Sequence, residues 1–365
     1  MTTTSDTAHD RTRPEDARPA RRAVLSRRSV LRLAVLGGVG VAGFGAARAT
    51  APGAELPDWT AADVPSQAGR RAVVTGGNGY PQDGRSGLGY HEALALAVAG
   101  ADVTIASRDA ERGGEAVRRI RAAAPGATVA FERLDLTDLA SVRAFVARTE
   151  DGGDRLDLLV NNAGVQGRRE REVAADGTER VLATNARGPF ALTAGLLPLM
   201  LAADSPRVVW TSSSRVGRID LDDLNKERGY TYGAAYDDTK LGALLLAFEL
   251  QRRSTRAGWG ITSLAVHPGV CRTNIVLDGP GPDTPEGVQF RYVRPLWQDP
   301  AVGALPALYA ATSPMAAGGA YYGPKELGGL SGLPGFAVVP AAATDVDMAA
   351  RYWEAMEDLA GVGFA

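Results

Sequence analysis

Tyr236 and Lys240 stand four residues apart in "YDDTK", the spacing that stacks two side chains one turn apart on one helix face. A phenol ionises near pH 10 and is a poor proton donor or acceptor at neutral pH. An ammonium held beside it favours the phenolate. Lowering the phenol by about 3 units takes ~4 kcal/mol of differential stabilisation, which one or two fixed charges in a closed site can supply. Such a pair could pass a proton to or from an oxygen. A second stretch, "TGGNGYPQDGRSGLG" at 75–89, looks like a phosphate-binding turn cut open. Without Gly79–Arg85, the residues Thr75, Gly76, Gly77 and Asn78 run directly into Ser86, Gly87, Leu88 and Gly89. Glycines permit a tight turn and let backbone N–H groups approach a pyrophosphate, and a following helix turns its positive N-terminus toward the same phosphates. The insert is polar and built of turn residues, so it can loop outward at small entropic cost. Two other readings stay open: a flap over the nucleotide with Arg85 on a phosphate, or a damaged site.

These residues need elements to position them. "RRAVVTG" (70–76), "DVTIAS" (102–107), "ATVAFERLDL" (127–136), "LDLLVNNAG" (156–164), "RVVWTSSS" (207–214) and "ITSLAVHPG" (261–269) read as strands. Helical patterns lie between them at 89–101, 109–123 with Asp109 as N-cap, 138–149, about 178–201 and 236–256. Strands alternating with helices of this length predict an α/β fold: a doubly wound parallel sheet of the Rossmann kind, helices on both faces, in a single domain. Ligands of such sheets bind beyond the carboxyl ends of the strands, where the glycine turn and the candidate serines fall.

Composition narrows the rest. The chain has 365 residues, 45% apolar and 22% charged, with net charge −2, which gives no footing for a general nucleic-acid binder. Cys271 is the only cysteine and there are three histidines, so an intrachain disulfide is excluded and no metal site is expected. Residues 1–49 resemble a twin-arginine-type signal: a basic region with Arg27-Arg28, a short apolar run at 33–47, and "ARA" at 47–49. They predict export to the periplasm or beyond through the twin-arginine machinery. An uncleaved membrane anchor, or a cytoplasmic protein with a chance apolar patch, are the alternatives. Residues 50–67 read as a Pro-containing linker and 68–365 as the domain.

At this point a resemblance emerges. "TGGN…SGLG", "LVNNAG" (159–164), Asn185 in "ATNARGPF", "VVWTSSS", "YDDTK" and "HPGVCRTN" (267–274) occur in the order found in the short-chain dehydrogenase/reductase family, over about residues 58–320. "WTAADVPSQAGRRAVVTG" and "YYGPKEL" resemble a bacterial branch of its retinol-dehydrogenase-like members. The resemblance implies an oxidoreductase interconverting a carbonyl and an alcohol by hydride transfer. Tyr236 would be the acid/base, its phenolate favoured also by an oxidised nicotinamide. Lys240 would hydrogen-bond the nicotinamide ribose, Ser213 (with Ser212 as fallback) would hold the substrate oxygen, and Asn185 would bind a water that relays protons to Lys240. Gly76, Asn78, Ser86, Gly87, Leu88 and Gly89 would hold the pyrophosphate. Asp135 and Leu136 would meet the adenine, Asn161, Asn162, Ala163 and Gly164 would floor the ribose, and Gly269 and Thr273 would border the nicotinamide.

Members that prefer NAD carry an acid at the end of the second strand, for the ribose diol. Here Ser107 stands there and Arg108 follows, and a guanidinium can hold a 2′-phosphate, so NADP(H) is preferred and NAD(H) left open. Asp109 is assigned to capping. Gln166, Arg215 and the segment 276–297, with Phe290, Tyr292 and Trp297, would line a pocket for an apolar small molecule. Homo-oligomers through helices after the fourth and fifth strands are a family habit that this chain leaves open. The competing class is an exported nucleotide-binding sensor or scaffold without catalysis.

Overall fold

The computed structural model describes residues 55–293 and 296–364. The expected export signal at 1–49 lies outside the described residues. Eight strands form one sheet in the order β3-β2-β1-β4-β5-β6-β7-β8. They are β1 (Arg71–Thr75), β2 (Asp102–Ser107), β3 (Val129–Arg133), β4 (Leu158–Asn161), β5 (Arg207–Thr211), β6 (Thr262–Val266), β7 (Tyr321–Glu326) and β8 (Ser331–Phe336). The first seven run parallel and β8 is antiparallel to β7. The chain leaves β1 in one direction, through β2 and β3, and returns to its other side with β4. That reversal opens a crevice at the carboxyl ends of β1 and β4.

The helices that matter here are α1 (Leu88–Val98), α2 (Ala110–Ala123), α3 (Leu139–Asp151), α4 (Gly188–Gly195), α5 (Tyr232–Ala257), α6 (Leu305–Thr312) and α7 (Val346–Ala360). Residues of α1, α2 and α6 share an apolar core with one face of the sheet, while α3, α4, α5 and α7 cover the other. The fold class is therefore the doubly wound one expected.

Several boundaries differ from expectation for local reasons. Helix α5 begins at Tyr232, four residues before Tyr236, because Thr231 accepts the amide of Ala234 and caps it there. The helical stretch around 178–201 is broken into Arg180–Leu182, a π-helical turn at Ala183–Arg187, α4 and Leu197–Leu201. Strands β7 and β8 were not read from the sequence. "YYGPKE" carries a glycine and a proline, and the register shifts between Pro324 and Glu326, which is how a sheet tolerates proline near its edge. Helix α7, capped by Asp345 and ended by Gly361 in a left-handed conformation, was likewise not singled out. Within the stretch expected to be linker, Trp59 is buried and meets Tyr309 edge-on at 5.5 Å. A capping box between Thr60 and Asp63 closes a 3-10 turn beside it.

Candidate active site

Helix α5 is lashed to the end of β5 at the level of Lys240. The Lys240 ammonium donates to the Thr211 carbonyl at 2.8 Å, and the Ser212 hydroxyl donates to the Lys240 carbonyl at 2.6 Å. Strand β5 ends at Thr211, so strict alternation lapses beyond it. Ser212 serves the backbone, and it is Ser213 whose hydroxyl lies near enough to the phenol of Tyr236 to favour its ionisation. Behind Ser213, the Tyr321 hydroxyl of β7 donates to its carbonyl at 2.8 Å. Tyr321 was missed because nothing in "YYGPKEL" ties it to β5 before the sheet is assembled.

Lys240 is 4% exposed, and burial pushes its ammonium down to about 8. Its nitrogen lies 5.5 Å from the centroid of the Tyr236 ring. The expected acidification of the phenol by that ammonium is not what dominates. Burial holds Tyr236 above the ordinary tyrosine range, Ser213 and Arg215 counter it, and Asp237 adds to it. Desolvation of a phenolate outweighs one hydroxyl donor, and the ammonium is aimed at Thr211.

Asn185 sits in the π-helical turn, a distortion that recurs at functional sites. Its side chain grips Val165 from both sides, accepting the amide at 2.8 Å and donating to the carbonyl at 2.9 Å. It also donates to Thr239 Oγ1 at 3.1 Å, and that hydroxyl donates to the Tyr236 carbonyl at 2.8 Å. The asparagine thus ties the loop after β4 to the catalytic helix.

The glycine turn lies across the crevice. Gly76 has φ +74°, a left-handed conformation, and a Cβ on Gly89 would come within 2.5 Å of Asn162 Nδ2 and 3.0 Å of the Gly76 carbonyl. Larger residues would force β1 and α1 apart. Thr75 closes the seam: its hydroxyl accepts the Ala163 amide at 3.0 Å and its carbonyl accepts Asn162 Nδ2 at 2.8 Å. Gly164 follows, close to Lys240 Nζ and Asn185 Oδ1.

The insert closes on itself. The Gly87 amide donates to the Gly79 carbonyl at 2.6 Å, and Gln82 and Arg85 exchange backbone hydrogen bonds at 2.9 and 3.0 Å. Asp83 and Gly84 both have positive φ, the pattern of a two-residue hairpin turn. Tyr80 at its root lies under the guanidinium groups of Arg112 and Arg119 of α2, 5.3 and 4.4 Å from its centroid. Residues 81–84 are exposed. The hairpin therefore rests along α2 and turns outward, and Ser86, whose hydroxyl pairs with His91 Nε2 at 2.8 Å, resumes the turn.

The residues fit a dinucleotide. No side chain caps α1 at Gly87, so its first amides are open to phosphate. The Ser107 hydroxyl is buried at the end of β2 with no hydrogen-bond partner among the described residues. Arg108 is exposed beside it. Asp109 is committed to capping α2, accepting the Arg112 amide at 2.9 Å. One oxygen of Asp135 accepts from the amide and hydroxyl of Thr137, and Leu136 is buried against Gly188. Gly269, also in the left-handed region, passes close under the Leu330 carbonyl, and the Thr273 amide donates to the Cys271 carbonyl at 2.9 Å. Asn78 and Leu88 are half-buried at the two ends of the glycine turn.

Around Tyr236 the walls are apolar: Val165, Val181, Tyr230, Ala235 and Ile275 form one cluster with it. Gln166 packs against Gly279. Of the aromatic residues expected in the pocket, Phe290 and Trp297 meet each other edge-on at 4.9 Å and Tyr292 is exposed. No helix among the described residues is long and apolar enough to cross a membrane.

Known proteins resemble this chain. The family model described as short chain dehydrogenase matches residues 70–278. Human retinol dehydrogenase 13 is 38% identical over 222 residues, covering 59% of this chain and 64% of that protein, so the chain spans a little under two thirds of that relative's length. Zebrafish (Danio rerio) polyprenol dehydrogenase is 35% identical over 277 residues, 74% of this chain and 79% of that one. The crystal structure of an uncharacterized protein from Mycobacterium paratuberculosis superposes with a TM-score of 0.68 at 37% identity, over 85% of this chain and 100% of that one. The Pseudomonas aeruginosa RhlG/NADP active-site complex does so with a TM-score of 0.52 at 25% identity, over 70% and 94%. With the family model matched over more than half of the chain and a relative 35% identical over 79% of its own length, the chain belongs to the short-chain dehydrogenase/reductase family.

Proposed function

We propose that this protein is an NADP(H)-dependent oxidoreductase that interconverts a carbonyl and an alcohol on an apolar small molecule. One observation carries the reading: Lys240 and Ser212 lash the helix of Tyr236 to the end of β5, which brings Tyr236 beside Ser213 and the crevice that the glycine turn frames. Two hydroxyls on one point can hold a carbonyl oxygen and donate to it as negative charge develops. Tyr236 gives up its proton in reduction and takes one in oxidation. Lys240, Ser212 and Thr211 fix the helix turn that presents it. When bound, the nicotinamide supplies or accepts the hydride, and Gly76, Asn162, Ala163 and Gly164 are the residues that would hold its dinucleotide. Val165 and Ile275 favour an apolar substrate, in keeping with the names of the retinol and polyprenol dehydrogenases.

Preference for NADP(H) rests on charge at the end of β2, where Ser107 and Arg108 stand and Asp109 is occupied as a cap. Arg108→Ala should weaken NADPH binding about ten-fold or more, the loss of a charge-assisted hydrogen bond, and leave NADH nearly unchanged. Equal losses in a fluorescence titration would remove the argument. The same titration, run beside turnover of a panel of apolar aldehydes such as octanal and retinal, tests the activity itself. Binding without turnover would favour the non-catalytic sensor.

Export through the twin-arginine machinery is also our proposal, supported by the composition of residues 26–49. Replacing Arg27 and Arg28 with lysine should retain the protein inside the cell, and unchanged secretion would exclude that route.

A further inference from the structure

The loop that carries Ser213 is fastened to the helix that carries Tyr236. The Gly217 amide donates to the Asp237 carbonyl at 2.8 Å, and the Arg218 amide donates to Asp238 Oδ1 at 2.8 Å. Arg215 makes two further links. Its backbone amide donates to Ser213 Oγ at 3.2 Å, and its side chain donates from Nε to Asp237 Oδ1 at 2.8 Å. The first link occupies a lone pair of Ser213 and leaves the hydroxyl proton to face the Tyr236 oxygen. The second closes an ion pair on the residue immediately after Tyr236.

Charged and titratable groups face the phenol from three sides. Lys240 lies on its own helix with the ammonium aimed at Thr211. Asp237 is on the same helix and Arg215 on the loop after β5. Tyr321 of β7 is buried and uncharged, held far above the ordinary tyrosine range by desolvation. From the same cluster Val165 and Ile275 are apolar, and the Tyr230 phenol is uncharged, pushed up to about 12 by burial. Of these, Asp237 disfavours the phenolate and Arg215 favours it, so within the closed pair the two act on the phenol in opposite directions.

We propose, on the reading of Tyr236 as the acid–base group, that the Arg215–Asp237 ion pair is a positioning device that sets the pH at which Tyr236 works. Neither residue touches the reacting atoms. Each acts through Tyr236, and Arg215 acts also through Ser213. Opening the pair leaves one charge uncompensated beside the phenol, and the sign follows from which one remains.

Asp237→Asn leaves the guanidinium, so the phenol ionises at lower pH. Arg215→Gln leaves the carboxylate, so it ionises at higher pH. Each shift should be about 0.5–1 pH unit, modest because Arg215 is 46% exposed. Both should shrink in 1 M salt, where the screening length is about 3 Å. Arg215→Lys keeps the charge and should recover most of the wild-type position.

The primary readout is the tyrosinate absorbance of the full-length protein with NADP+ added, taken as a difference against Tyr236→Phe. The second is the pH profile of kcat/KM for 1-octanol oxidation, whose acid limb should move with the phenol. Opposite shifts in the two single variants, reduced by salt and cancelling in the double variant, are expected. Superimposable titrations, or shifts of the same sign, overturn the proposal. A wild-type protein that oxidises no alcohol sinks the enzymatic reading, while the absorbance titration still decides the ion pair.

Discussion

Tyr236→Phe is expected to lower kcat by about 10²–10⁴-fold, the range that a positioned proton donor contributes, with NADPH binding nearly unchanged. The reason for the separation is structural. The ring of Tyr236 packs with Val181 and Ala235, and phenylalanine keeps all of that contact. What disappears is the one hydroxyl that meets Ser213. The nucleotide crevice, built from Thr75, Gly76, Asn162 and Ala163, shares no hydrogen bond with it. Steady-state kinetics on the aldehyde panel together with a binding titration read the two quantities independently. Undiminished turnover would refute the mechanism, and loss of binding would mean that the variant disturbs the fold.

The second large effect is on stability. Trp353 of α7 is fully buried. It meets Phe190 of α4 edge-on at 4.9 Å and Phe364 at 4.6 Å, and the Arg253 guanidinium of α5 lies 4.6 Å above its ring. Its indole N–H donates to Glu357 at 2.9 Å. Trp353→Ala should cost about 3–5 kcal/mol, the transfer and cavity terms of a buried aromatic, read as a fall in the urea midpoint at constant m. A loss below about 1 kcal/mol, the size of an average substitution, would show that α7 is not part of the cooperative core.

The parallel sheet was legible because each of its first six strands is a short apolar run followed by a turn, and because helices of matching length separate them. The helix that carries Tyr236 and Lys240 was legible because the two stand one turn apart. What the sequence hid was of two kinds. Strands β7 and β8 depend on neighbours: Pro324 and Gly323 argue against a strand until β6 supplies Ala265 and Val266 as partners. The roles of Thr211, Thr239 and Tyr321 are contacts between segments far apart in the chain, and no local pattern announces them. The balance of burial and charge at the phenol is likewise not legible from local sequence. Spacing on a helix places an ammonium nearby, but only the packed structure shows its hydrogen bond to a carbonyl and the weight of burial.

Gly79 and Gly87 bring the two ends of the inserted hairpin together, so the length and composition of its tip are uncoupled from the geometry of the turn that follows. Residues 81–84 are consequently a place where evolution or an engineer can lengthen, shorten or label the chain while α1 keeps its position. A dye attached there would report on the glycine turn from outside it.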